Sequence, residues 1–156
     1  MRENISQAVK DAMKSGDKMR LSTLRLVQAA IKDRDIAARV DAKGQSTGHD
    51  RIDDSELLGL LQKMIKQRRE AAKTYADAGR SELADKETAE IAVIEEFLPK
   101  QLSAEETEKA VAEVIDEIGA SGLKDMGRTM GALKERFAGQ MDFGKASAVV
   151  KAKLSG

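Results

Sequence analysis

Cysteine and tryptophan are absent from this chain, proline, histidine and tyrosine occur once each, and aromatic residues make up only 3%. Without cysteine there are no disulfides, no thiolate nucleophile and no zinc–thiolate site. No run is long and apolar enough to cross a bilayer, so no membrane role is expected. The opening Met1-Arg2-Glu3-Asn4-Ile5-Ser6 lacks the apolar core of a secretory signal. A cytoplasmic home is the resulting expectation. Scarce aromatics also argue against base stacking of the single-strand type.

The lone proline, Pro99, organises the chain. In a sequence rich in Ala, Glu and Lys little else stops a helix. The residue before a proline is driven out of the α region, which predicts a helix end near Leu98. Ser103 and Glu106 then offer a capping box for the next helix. Two domains are expected, residues 1–98 and 99–156.

What is abundant is charge and helical periodicity. Hydrophobic residues are 41% and charged residues 35%, and formal charge is zero, with 27 basic and 27 acidic side chains. Ile5, Val9, Ala12 and Met13 recur at helical spacing, and Gly16-Asp17 supplies a stop and a new N-cap. Leu21, Leu24, Val27 and Ile31 mark a second apolar face running towards Ala38. Residues 41–52 read as an exposed, mobile loop rich in Gly and Ser/Thr. Asp53 or Asp54 caps a third helix whose face is Leu57, Leu61, Met64, Arg68, Ala72 and Tyr75. Gly79 breaks it before a fourth helix that carries Ile91, Ile94 and Leu98.

Three shorter helices follow Pro99. Their stripes are Val111-Val114-Ile115-Ile118, then Met126-Met130-Leu133-Phe137, then Phe143-Ala146-Val150-Leu154, with Asp142 as a cap. No segment alternates as a strand bounded by hairpin turns. The expected fold is all-α, a four-helix N-terminal body and a small three-helix C-terminal tail.

The zero net charge conceals alternation. Residues 63–73 hold five bases against one acid, and residues 74–98 hold two against seven. Residues 99–118 hold two bases and six acids, and residues 119–156 seven and three. Such blocks let neighbouring helices attract and leave a basic face in each part.

Catalytic chemistry finds no footing. His49 lies in the most loop-like stretch, where a general base lacks a fixed, desolvated position. Asp50, Asp53 and Asp54 lack the spacing of a calcium loop, and capping explains the last two. Glu87 and Glu90 share a helix face and read as a solvated one. No phosphate loop, nucleophile elbow or zinc-protease helix is present. No catalytic residue, metal or cofactor is expected.

Nucleic-acid contacts fit better. Lys66, Arg68, Arg69 and Lys73 lie within about two turns of one helix. Arg128, Lys134, Arg136, Lys145, Lys151 and Lys153 surround the last two helices, and Gly127, Gly131 and Gly139 leave room for close backbone approach, with helix closing as the other reading of Gly139. Phosphates and shape would then dominate recognition. Arg68 also falls on an apolar stripe, which leaves pairing with a glutamate as its other reading.

Several stretches together resemble the GatB/YqeY family of small bacterial helical proteins. They are Arg20-Leu21-Ser22-Thr23-Leu24-Arg25, Ile65-Lys66-Gln67-Arg68-Arg69-Glu70, Ala78-Gly79-Arg80, Glu90-Ile91-Ala92-Val93-Ile94-Glu95-Glu96-Phe97-Leu98-Pro99 and Asp125-Met126-Gly127-Arg128-Thr129-Met130-Gly131. One departure is Asp142-Phe143-Gly144-Lys145, where many relatives carry Asp-Gly-Lys. The resemblance implies a helical domain plus a small tail domain. It extends to the C-terminal region of the B subunit of glutamine-dependent aspartyl/glutamyl-tRNA amidotransferases, carbon–nitrogen ligases that use glutamine as amido-N-donor. The region retained resembles the part of that subunit that contacts the tRNA body, and nothing here resembles its catalytic cradle or the glutaminase. The function this resemblance implies is a non-catalytic tRNA-binding or amidotransferase-associated module acting in translation. Its partners would be tRNA, bound weakly by the chain alone, and an aminoacyl-tRNA synthetase or amidotransferase subunit. The candidate contacts are Arg128, Lys134, Arg136, Lys145 and Lys151, with Arg68 and Arg69 as a second patch. The alternative is a helical protein–protein adaptor that binds no RNA.

Overall fold

The computed structural model describes residues 1–156 and is all-helical, with no strand beyond an isolated bridge between Val40 and Ser46. Seven helices run α1 (Arg2–Ser15), α2 (Lys18–Ala38), α3 (Asp54–Asp77), α4 (Ser81–Glu95), α5 (Ala104–Ile118), α6 (Met126–Arg136) and α7 (Phe143–Ser155). They fall into two compact units, Met1–Leu98 and Pro99–Gly156.

Local chemistry sets most of the ends. Gly16 closes α1 with φ +72°, a conformation that costs glycine nothing and other residues about 1 kcal/mol. Asp17 then caps α2, its carboxylate accepting from the Arg20 N–H. Asp53 and Glu56 form a reciprocal capping box on α3, and Ser103 and Glu106 form another on α5. Each satisfies two of the backbone donors that a helix start leaves orphaned. Ahead of Pro99, α4 stops at Glu95, three residues short of the expected Leu98. The Phe97 and Leu98 N–H groups donate to the Ile94 and Glu95 carbonyls, so the last turn tightens before the chain leaves the α region.

In the first unit, α3 and α4 form a long antiparallel hairpin, with α2 against both and α1 against α2. Val27 and Ile31 of α2 meet Leu57, Leu61, Met64 and Ile65 of α3 and Ile91 and Ile94 of α4. Leu57, Leu61 and Ile94 are wholly buried. A smaller cluster joins Ala8, Val9 and Ala12 of α1 to Leu24 and Val93. The stretch between α2 and α3 is exposed, as expected, and carries hydrogen bonds of its own. Asp41 accepts from the Lys43 and Gln45 N–H groups, and Ile52 at its far end is buried in the core. An aspartate that bonds its own following backbone replaces the missing secondary structure.

In the second unit, Val111 and Val114 of α5, Leu133 of α6, Met141, and Ala146, Val150 and Leu154 of α7 form the core. Met126, Met130, Phe137 and Phe143 are partly buried around it. A single 3₁₀ turn, Leu123–Asp125, leads into α6. The segment after Pro99 is held to this unit by the Leu102 N–H, which donates to the Gln140 carbonyl at 2.7 Å.

Candidate nucleic-acid interface

On α3 the basic cluster separates into two roles. Lys66, Arg69 and Lys73 recur at i, i+3 and i+7, which puts them on one exposed face. Arg69 meets Glu95 at 3.1 Å in an exposed ion pair, of the kind that contributes little. Arg68 turns inward instead. Its Nε donates to Glu90 Oε2 at 3.0 Å and its Nη1 to the Met64 carbonyl at 3.2 Å. The two side chains are 15% and 12% exposed. Glu90 was expected on a solvated face. It belongs to the helix interface instead, because it shares a line with the buried Ile94 four residues on and so points across to α3. Arg68 therefore satisfies a partly buried carboxylate and stands apart from the exposed patch.

In the tail unit the candidates are exposed, but they do not share one face. Helical rotation of about 100° per residue sends Lys134 and Arg136 to opposite flanks of α6. Arg136 pairs with Glu117 of α5. Arg128 and Lys134 lie either side of exposed Gly131, at i, i+3 and i+6. A Cβ at Gly127 or Gly131 would meet nothing within 4 Å, so packing does not require either glycine. On α7 the same pattern recurs, with Lys145 and Lys151 flanking exposed Ala148. The start of α7 is fixed by Asp142, whose carboxylate accepts from the Gly144 and Lys145 N–H groups, while Phe143 packs towards the core.

Local electrostatics modulate this surface. Asp125 accepts from the Ser121 N–H at 2.9 Å, which, with nearby Arg128, holds its carboxyl below the usual aspartate range. Arg128 Nη2 lies 3.5 Å from that carboxylate. Lys134, Lys145 and Lys151 make no ion pair. His49 is exposed in its loop. Nowhere do three histidine or acidic side chains converge as a metal site would need.

Sequence reasoning missed one ionic assembly in the first unit. Arg2 grips both oxygens of Asp35, at 2.8 and 2.9 Å, and also donates to the Ile52 carbonyl. Asp35 accepts from the Ile52 N–H at 2.9 Å. These bonds tie α1, α2 and the end of the loop together. The partners are 33 and 17 residues apart, so no local spacing announces them.

The sequence pattern described as Yqey-like protein matches residues 2–154 of this chain. Among curated proteins, "Altered inheritance of mitochondria protein 41, mitochondrial" of Pyrenophora tritici-repentis is 32% identical over 133 residues, covering 82% of this chain and 68% of the relative. Its namesake in Lachancea thermotolerans is 30% identical over 105 residues, 67% of this chain and 51% of the relative. That of Vanderwaltozyma polyspora is 26% identical over 129 residues, 78% of this chain and 64% of the relative. The chain thus spans from about half to just over two thirds of the length of these relatives. Their names correct the cytoplasmic expectation, since all three are called mitochondrial. Absent cysteine fits any compartment that does not demand disulfides, so it never selected the cytosol.

Proposed function

This chain belongs to the Yqey-like protein family, and we propose from that premise that it is a non-catalytic tRNA-binding or amidotransferase-associated module that reads phosphates and shape. The two units act as separate domains, a four-helix body and a three-helix tail. The tail makes the main contact through Arg128, Lys134, Lys145 and Lys151, with Arg136 at its margin. Lys66, Arg69 and Lys73 of the body form the second patch, and Arg68 supports that helix from inside.

The observation that carries this reading is the pair of basic–small–basic arrays, Arg128-Gly131-Lys134 and Lys145-Ala148-Lys151. Each sets two cations either side of a small residue, where a phosphodiester backbone approaches closely; the α7 array is the clearer of the two, because exposed Glu135 shares the α6 face with Arg128. Scarcity of exposed aromatics favours backbone over base recognition. Glutamine-dependent amide formation is assigned to no residue here. The mitochondrial names of the fungal relatives are compatible with the proposal, because tRNA is present wherever translation occurs.

Binding of the purified protein to bulk tRNA across a salt series tests it. Affinity falls steeply with salt, and the slope flattens by about one for each cation neutralised in the Arg128→Gln, Lys134→Gln, Lys145→Gln and Lys151→Gln variants. Absence of binding at low salt, or equal binding by the fourfold variant, overturns the assignment.

A further inference from the structure

Four of the seven large hydrophobic side chains that this protein exposes belong to one stretch of chain. Met19, Leu26 and Ile36 of α2 and Val40 just beyond it are 42, 48, 49 and 51% exposed. Their spacing is not random. Met19, Ser22, Leu26, Ala29, Asp33 and Ile36 follow steps of three and four, the seam of a helix that pairs with another. The seam lies opposite Leu24, Val27 and Ile31, which face the core, so α2 is apolar on two sides. Met13 of α1 extends the patch, with Arg25 Nη2 3.9 Å from its sulfur.

A ladder of cations borders the seam. Lys18, Arg25, Lys32 and Arg39 recur every seven residues, the flanking position of a heptad, and all are exposed. None of the four makes an ion pair. Asp35, near the far end of the ladder, is committed to Arg2. On the other side of the seam stand Thr23, Ala30 and Ala37, none of them charged, so the charged flank is the basic one.

We propose that the outer face of α2 docks an acidic amphipathic helix of a partner protein, whose apolar stripe fills the seam and whose carboxylates meet the Lys18, Arg25, Lys32 and Arg39 ladder. Large side chains at Met19, Leu26 and Ile36 alternate with small ones at Ser22 and Ala29, which makes the knobs and holes another helix needs. The seam from Met19 to Ile36 is about 25 Å long, room for about two and a half heptads. Asp33 interrupts it and fixes register by demanding a donor opposite. A second copy is a poor occupant, because antiparallel pairing of two α2 helices sets Lys18 against Arg39 and Arg25 against Lys32. RNA would leave the apolar stripe uncovered. This face is independent of the tail residues proposed for tRNA.

The test uses the full chain and a labelled synthetic three-heptad peptide with Leu at the seam positions, Asn at the one that faces Asp33, and Glu at the flanks. Its controls are the same peptide with Lys flanks and one of identical composition with the apolar positions scattered. The protein binds the Glu-flanked peptide at least tenfold more tightly than either control. Leu26→Asp with Ile36→Asp, both at exposed positions, removes that binding while the melting curve is unchanged. Arg25→Glu with Lys32→Glu reverses the preference to the Lys-flanked peptide. Equal binding of all three peptides overturns the proposal. So does self-association that the Leu26→Asp change abolishes, or binding of tRNA or anionic vesicles that depends on these same residues.

Discussion

Asp35 and Glu90 are carboxylates that the fold takes largely out of water, and each is held by a single arginine. Hydrogen bonds from Arg2, aided by the Ile52 N–H, hold the Asp35 carboxyl below the usual aspartate range despite some burial. A group whose folded pKa is depressed contributes stability above its unfolded value and loses it as pH falls through the folded one. Asp35→Asn should therefore destabilise at neutral pH, by roughly 1–3 kcal/mol. It should also flatten the acid decline of stability below about pH 4. Urea midpoints measured from pH 7 to pH 2 check this, and parallel curves for both proteins would refute it. The Arg68–Glu90 pair behaves differently. Glu90→Ala leaves a half-buried guanidinium unpaired, at a cost of about 2–4 kcal/mol, whereas Arg68→Met with Glu90→Leu should come within about 1 kcal/mol of the parent. A double variant as unstable as the single one would mean that Arg68 acts through some other contact.

Capping rather than propensity places several of the helix starts. The Ser103–Glu106 box begins α5, and the Ser103 backbone N–H holds the Glu106 carboxyl below its usual range. Ser103→Ala should lower the stability of the second unit by about 1 kcal/mol and leave the first unchanged. Amide hydrogen exchange separates the two, with faster exchange confined to the second unit, residues 99–156. Equal acceleration in α3 would show that the effect is not local. Element ends were legible because capping links residues only two or three apart, as at Asp17, Asp53, Ser103 and Asp142. The loop after α2 was less so. Its hydrogen bonds join Asp41 to its own following backbone and Asp35 to Ile52, and only the first of these is local.

For the whole molecule, the cores of the two units are built from separate stretches of chain. Residues 1–98 expressed alone should keep a cooperative melt, because Leu24, Leu57, Leu61 and Ile94 are buried among side chains of that same stretch. A non-cooperative melt of this fragment would refute the proposed domain boundary. Of the candidate site, the exposed cations were legible from composition and spacing, but their grouping was not. Arg68 and Arg69 are adjacent in sequence, yet one is spent on Glu90 and the other stands in solvent. Residue order was enough to specify an all-helical chain, most of its helix starts and stops, and the apolar faces, because these depend on contacts within a turn or two. Helix packing was needed to put Glu90 inside, to clamp Asp35 with Arg2, and to turn Arg136 towards Glu117. Each depends on which helix crosses which, and that is set by the whole pattern of buried side chains rather than by any local spacing.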